Sequence, residues 1–185
     1  MSALSTAIPS VLTPGVWAVD PSHSSVSFAV RHLMVSKVRG RFGAFTGTLT
    51  VGENVADARL EASVEMASIT TGDQGRDAHL TGAEFFDVEQ FPSMTFNSTA
   101  LTVAGDGYAL AGDLTIKGVV RPVTFALEFE GVSTDPWGNT KAGVSAEAEI
   151  NRKEWGLEWN VALETGGVLI GEKVKIQLDI EAARV

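Results

Sequence analysis

The stretch SSVSFAVRHL, residues 24–33, alternates with a strict two-residue period. Every second position carries a large or apolar side chain, at Val26, Phe28, Val30 and His32. The positions between them carry small or polar side chains. Successive side chains of a β-strand point to opposite faces, so this pattern predicts a strand with one apolar face.

The same alternation returns in most of the chain. It is found in GRFGAFTGTLTV (40–51), ARLEASVEM (58–66), YALAGDLTI (108–116), VTFALEF (123–129), AGVSAEAEI (142–150) and VKIQLDIEA (174–182). Turn signals such as GENVAD (52–57) and DPWGN (135–139) separate these segments and indicate about eight strands. Alternation favours antiparallel pairing, and closure best protects the sheet edges. The predicted fold is therefore all-β, a single antiparallel β-barrel.

The segment TTGDQGRDAHLTGAEFFDVEQFPSMTF, residues 70–96, breaks the alternation. It predicts a short helical insertion around residues 75–86, with Asp73 as the N-cap. Arg76, Asp77 and His79 fall in this insertion. We interpret them as a polar clasp that closes one barrel end, with Leu80, Phe85 and Phe86 as its apolar plug.

Catalytic and metal-binding interpretations of this segment are weaker. The chain has no GxSxG nucleophile pattern and no cysteine, and His23, His32 and His79 lack the close spacing of metal ligands. We therefore predict no catalytic residue, no metal site and no cofactor.

Composition excludes further classes of function. The net charge of −9 leaves no basic excess for binding nucleic acid through its phosphates. No run of apolar residues is long enough to span a membrane. Residues 1–16 have no positive charge and carry two prolines, unlike a secretory signal. We expect a cytoplasmic protein with a flexible N-terminal lead at residues 1–14 and one domain at residues 15–185.

Several long motifs also resemble one known family, in the right order. They are WAVDPSHSSVSFAVRHLMVSKVRGRFGAFTGTL (17–49), GRDAHLTGAEFFDVEQFPSMTF (75–96), GDLTIKGVVRPV (112–123), INRKEWGLEWN (150–160) and GEKVKIQLDIEA (171–182). Together they resemble the YceI-like domain over roughly residues 16–182. Matches of this length are far more specific than a lone pattern.

The resemblance implies a lipocalin-like barrel around an elongated apolar tunnel. It also implies a long-chain lipid ligand, which would be a polyisoprenoid, an isoprenoid quinone or a fatty acid or amide, and it implies a homodimer. Many members of the family are periplasmic, whereas this N-terminus lacks a signal. We expect non-enzymatic binding for transport or storage. The alternatives are a stress-related structural or interaction module with a filled barrel, and an enzyme that acts on an isoprenoid lipid through His32 or His79.

Alternation and the resemblance together select candidate ligand-binding residues. They are Phe28, Val30, His32, Phe45, Leu49, Leu60, Val64, Met66, Phe85, Phe86, Met94, Phe96, Leu114, Ile116, Phe125, Leu127, Trp155, Ile176 and Leu178. We expect Lys37, Arg39 and Arg41 to lie on the solvated outer face, or else at a tunnel mouth where they would hold an anionic head. The glycine-rich region 155–171 is predicted to be a dimer surface or a flap over the tunnel entrance.

Overall fold

Antiparallel strands make up most of the structure, a computed structural model that describes residues 8–185. Over that range the chain forms eleven strands and one α-helix, α1, at Gln74–Thr81. The strands are β1 Gly15–Val19, β2 Ser25–His32, β3 Ser36–Phe42, β4 Phe45–Val51, β5 Arg59–Glu65, β6 Ile69–Thr70, β7 Ser93–Ala104, β8 Gly107–Ile116, β9 Val119–Thr134, β10 Thr140–Asn151 and β11 Ile170–Arg184.

Six of these strands form three long, interrupted strands of the barrel. β1 and β2 both pair with β11, and they are separated by a 3₁₀ turn at Pro21–His23. β3 pairs with β2, and β4 pairs with β1. In the next long strand β6 pairs with β3, and β5 pairs with β4. With β7 to β11 this gives eight long strands, and the β1–β11 pairing closes the ring. The prediction of an antiparallel barrel of about eight strands is confirmed.

The helical insertion lies between β6 and β7. β7 pairs with β5, while its register with that strand ends at Ser93, so β6 has no strand partner on that side. Helix α1 and the turns that follow it connect β6 to β7 along the chain. Asp73 caps the helix as predicted, because its carboxylate accepts a hydrogen bond from the backbone N–H of Arg76 at 2.8 Å.

The helix is shorter than predicted. It ends at Thr81 and not near residue 86, with Gly82 as its C-cap in an extended conformation. From there the backbone folds back, and the N–H of Phe86 donates to the carbonyl of Leu80 at 3.0 Å. These turns bury Phe85 to 5% exposure, which a continued helix would place elsewhere. Burial of an aromatic ring therefore outweighs local helix propensity here.

The first half of the predicted N-terminal lead, residues 1–7, lies outside the described residues. From residue 8 onward the segment lies against the barrel end. Ile8 and Leu12 pack against a cluster built on Trp17, whose side chain is completely buried. The indole N–H of Trp17 also donates to the carbonyl of Thr13 at 3.2 Å.

The apolar core consists of three clusters within the barrel wall and its ends. One surrounds Phe96, Phe125 and Trp155, a second surrounds Trp17, and a third joins Phe42 to Met66. Between these clusters many inward-facing side chains are only half-buried although their faces point away from solvent. This is the property of a wall that surrounds open space.

Candidate functional site

A first cavity of about 200 Å³ lies inside the barrel. Side chains from all eight long strands of the barrel line it, together with residues 8–12 and the turn at residues 55–58. Thr46, Arg59 and Tyr108 are the only lining residues with a polar side chain among the residues described. Because almost all of its wall is apolar, this cavity can form few hydrogen bonds with a ligand. Such a cavity suits a hydrocarbon.

A second cavity of about 390 Å³ lies at the end of the barrel that carries α1. Its walls come from β2 and β3, from α1, from the start of β11, and from the irregular segment 156–169 that precedes β11. The lining is mixed. Apolar residues such as Val30 and Trp159 alternate with the side chains of three arginines and two histidines.

The two cavities follow one another along the same strands. On β2, Val26 lines the first cavity and Phe28 the second, and on β11 the corresponding residues are Ile176 and Val174. Val174 lines the second cavity and Ala182 lines the far part of the first. Between these two residues the strand rises about 26 Å. A tilt of about 40° leaves about 20 Å along the barrel axis. An elongated ligand fits this shape better than a compact one.

Phe28 lies at the boundary between the cavities. Its ring crosses over Gly40, its register partner on β3, and packs against Phe42 with a centroid distance of 5.8 Å. A Cβ atom on Gly40 would come within 2.7 Å of the ring atom Cε1. The glycine therefore provides the room in which the ring lies.

Most of the candidate ligand-binding residues line one of the two cavities. Those around the first are Phe45, Leu49, Leu60, Val64, Phe96, Leu114, Phe125, Leu127, Ile176 and Leu178. Those around the second are Phe28, Val30, His32 and Phe85. Contact of these residues with a ligand stays a prediction.

The other five candidates lie outside both cavities and belong to the packed core. They are Met66, Phe86, Met94, Ile116 and Trp155. Met66 is 2% exposed, and the Trp155 indole N–H donates to the carbonyl of Leu114 at 3.0 Å. Alternation assigns a residue to the inner face, but it does not separate a cavity wall from the packed layer at the end of the barrel.

Several residues that line the cavities were not among the candidates from the sequence. Leu110, Val144 and Ile180 continue the inward faces of strands that were recognised, so the same alternation could have found them. Leu157, Trp159 and Arg152 lie in or beside an irregular segment without periodicity. The segment does cover the second cavity, at the position of the predicted flap.

The clasp in the helical insertion exists, but its bonds differ in detail from the prediction. Asp77 Oδ1 accepts from both the backbone N–H and the hydroxyl of Thr71, at 2.8 and 2.6 Å. The Thr71 hydroxyl bond is the main reason that the pKa of Asp77 is lowered. Arg76 donates through Nε to the same hydroxyl at 2.7 Å. Arg76 and Asp77 thus meet at Thr71 and do not form an ion pair with each other.

His79 connects the clasp to the second cavity. Its Nε2 lies 2.8 Å from a carboxylate oxygen of Glu84, and its ring meets Phe85 and Trp159 edge-on at centroid distances of 5.1 and 4.6 Å. Of the three predicted plug residues, Leu80 and Phe85 line the second cavity, whereas Phe86 packs against the core. Trp159, which was not predicted for the plug, contacts both His79 and Phe85.

Arg152 is the only charged residue among the described residues whose side chain is buried, at 4% exposure. Its guanidinium donates to the carbonyls of Gly171, Leu157 and Trp159, and more weakly to that of Ile170 at 3.5 Å. Burial lowers the pKa of this side chain. The bonds hold the irregular segment against β11 and so form one wall of the second cavity.

The three basic side chains Lys37, Arg39 and Arg41 are exposed on the outer face of β3. None of them lines a cavity, in agreement with the first of the two expectations. Arg31, on the neighbouring strand β2, does line the second cavity and is the register partner of Lys37.

One group in the described chain has the spacing of metal ligands, formed by Asp20, His23 and Glu181. An ammonium group already lies among them, since Lys141 Nζ is 2.9 Å from Asp20 Oδ2 and 3.4 Å from Glu181 Oε1. The Lys141 bond is the largest cause that holds the pKa of Asp20 far below its usual range. The Asp20 hydrogen bond and the Glu181 charge raise the pKa of His23. Lys141 is therefore an internal counter-ion of this cluster, which joins the end of β1 to β10 and β11.

Comparison with known proteins identifies the family. Residues 17–182, nearly all of the barrel, match the YceI-like domain. The chain belongs to the YceI-like family. A UPF0312 protein of Staphylococcus aureus is 39% identical over 164 residues, which cover 88% of this chain and 94% of that relative.

Solved YceI-like structures share the barrel. BcnA of Burkholderia cenocepacia matches with a TM-score of 0.74 at 22% identity, over 88% of this chain and 98% of that chain. A polyisoprenoid binding domain from Saccharophagus degradans matches with a TM-score of 0.66 at 13% identity, over 94% and 100%. Within residues 8–185, no helix of this YceI-like protein has both the length and the apolar character needed to cross a membrane.

Proposed function

We propose that this YceI-like protein binds a long-chain lipid in the tunnel formed by its two cavities, and that it carries or stores this lipid without catalysis. The observation that carries the proposal is the first cavity, whose walls are apolar apart from Thr46, Arg59 and Tyr108. The proposed ligand is a polyisoprenoid or a chain of similar length. A homodimer, expected from the family resemblance, stays a prediction.

The driving force is the removal of a hydrocarbon tail from water. Each buried methylene contributes about 0.8 kcal/mol, so a tail of about ten carbons supplies about 8 kcal/mol before the entropy of association is subtracted. An empty apolar cavity also lacks the dispersion contacts that its lining would otherwise make. A tail that fills the space restores these contacts on all sides.

The shape of the tunnel favours a long, thin ligand. Its extent of about 20 Å along the barrel axis exceeds that of a compact metabolite, while eight strands leave an interior that is only one slender chain wide. The structurally similar Saccharophagus degradans protein is described as a polyisoprenoid binding domain, which supports the same class of ligand.

The experiment is extraction of the purified protein with organic solvent, followed by mass spectrometry. We expect a long-chain lipid in stoichiometric amount, and we expect its loss in the variant Ala146→Phe, because Ala146 lines the first cavity. Ala126→Phe is the matched control, since Ala126 is exposed on the outer face of β9.

The proposal is wrong if two results occur together. The first is that the extract holds no lipid. The second is that added long-chain isoprenoids and fatty amides bind no better to the wild type than to Ala146→Phe.

A further inference from the structure

The second cavity has an unusual charge for this chain. The whole sequence has a net charge of −9, yet the titratable residues that line this cavity are Arg31, His32, Arg76, His79 and Arg152. No Asp or Glu belongs to its lining in the described residues. A carboxylate does reach one of the five, since Glu84 contacts His79. Across residues 8–185 the other four have no carboxylate within salt-bridge distance.

Arg152 is the least compensated of these groups. It is 4% exposed, and all of its acceptors are backbone carbonyls. Its Nη2 atom reaches only the carbonyl of Ile170, at 3.5 Å. Glu172 is the one acid near enough to affect the pKa of Arg152, and its carboxylate is held by Lys153 at 2.7 Å. A buried cation without a counter-ion is costly, and a bound anion would offset that cost.

The strand pair β2–β3, which forms part of the cavity wall, repeats this pattern. Residues 21–52 contain Arg31, Lys37, Arg39 and Arg41 and no acidic residue at all. Arg31 and Lys37 are register partners, so two like charges lie opposite each other across the strand pair. Like charges in this position are destabilising unless an anion lies close to them.

Two further groups face the same space with free hydrogen-bonding capacity. The imidazole of His32 makes no hydrogen bond to the part of the chain that the structure describes; the residue is partly open to solvent and lines the cavity. Arg76 uses Nε and Nη2 to hold Thr71, which leaves Nη1 without a bond there.

We propose that the second cavity binds an anionic head group, a phosphate, diphosphate or carboxylate, of a lipid whose tail lies in the first cavity. This inference rests on the proposed function and adds a direction to it. The ligand enters the tunnel tail first, passes Phe28, and leaves its charged head beside Arg31 and Arg76 with Arg152 behind it. Guanidinium groups suit this role because their forked donors match phosphate and carboxylate oxygens.

The test compares ligands that have the same tail and differ in the head. Equilibrium binding is measured for geranylgeranyl diphosphate against geranylgeraniol, and for palmitate against palmitamide. We expect each anion to bind about 10- to 100-fold more tightly than its neutral partner, since hydrogen bonds to charged groups contribute more than neutral ones. The two pairs also show whether phosphate or carboxylate is preferred.

Variants assign the effect to the cavity. In Arg31→Gln/Arg76→Gln the preference for the anion should fall at least about tenfold, while the affinity for the neutral partner is kept. Both side chains are exposed at the surface, so this variant is expected to fold. Arg121→Gln is the control, because Arg121 is an exposed arginine on β9 that lines neither cavity.

The outcomes separate this inference from the proposed function. Equal affinity for the charged and neutral ligands overturns the head-group site and leaves a lipid-binding tunnel. An anion preference that Arg31→Gln/Arg76→Gln retains in full also overturns the site. Failure of all four ligands to bind overturns the proposed function itself.

Discussion

Replacement of Gly40 by alanine should destabilise the barrel only as long as Phe28 is present. The new Cβ would lie 2.7 Å from Phe28 Cε1 and 3.1 Å from Cε2, and no backbone atom is among its three nearest neighbours. Displacing a packed ring costs about 1–3 kcal/mol. Gly40 does not have a positive φ, so alanine itself is compatible with the backbone and contributes about 0.4–1 kcal/mol of stability through the unfolded chain.

The balance of these two effects changes sign with the partner residue. In the wild-type background Gly40→Ala should lower the free energy of unfolding by up to about 2.6 kcal/mol. In a Phe28→Ala background the ring is gone, and the same substitution should raise the free energy of unfolding by about 0.4–1 kcal/mol. Urea unfolding of the four proteins in a double-mutant cycle measures both values.

Gly112 provides the matched control. A Cβ atom there would contact the ring of Phe96 and would also lie 2.6 Å from the backbone carbonyl oxygen of Asn97. Phe96→Ala removes only the first of these contacts, so Gly112→Ala should stay destabilising in that background. If Gly40→Ala has the same effect with and without Phe28, the ring does not lie where the structure places it, and the boundary between the cavities is wrong.

Three other predictions concern the wall, the polar cluster and the clasp. Met66→Ala should lower the free energy of unfolding in urea by about 2–5 kcal/mol, because it opens a void in the packed core. Leu60 lies beside an existing cavity, so Leu60→Ala should lower it by about 1 kcal/mol only. Equal losses for the two variants would argue for a filled barrel. The raised pKa of His23 means that its stabilisation is complete below the ordinary value of 6.5 and is lost as the pH rises through the folded value. His23→Gln should therefore flatten the dependence of stability on pH above about 6.5, and an unchanged slope would contradict the contact with Asp20. The lowered pKa of Asp77 gives stability above the ordinary value of 3.8, and this stability is lost as the pH falls through the folded value. Asp77→Asn should therefore make the fold less sensitive to acid, as followed by circular dichroism. An acid transition identical to that of the wild type would contradict the contact with Thr71.

The fold was largely predictable because its main signal is periodic. Strands such as β11 alternate over most of their length, with Ile176, Leu178 and Ile180 directed inward, and that pattern is independent of distant parts of the chain. The cap at Asp73 was also visible, since it depends on a side chain and a backbone N–H three residues away. Both are local properties of the sequence.

The features that the sequence did not reveal depend on contacts between distant segments. Arg152 looks like an ordinary surface charge in INRKEW, and only the return of the chain at residues 157–171 surrounds it with carbonyls. The division between tunnel and core has the same origin. Ile116 and Leu114 lie on one face of β8, yet only Leu114 lines a cavity, because Ile116 lies at the end of the strand.

The central claim, that a hydrocarbon tail occupies the first cavity, can be tested most directly with a tail that carries a heavy atom. Crystals of the protein with 16-bromohexadecanoic acid would show the bromine by anomalous scattering. We expect one strong peak among Leu60, Phe125 and Leu178, inside the barrel. A bromine peak only on the outer surface, or a barrel interior closed by its own side chains, would contradict it.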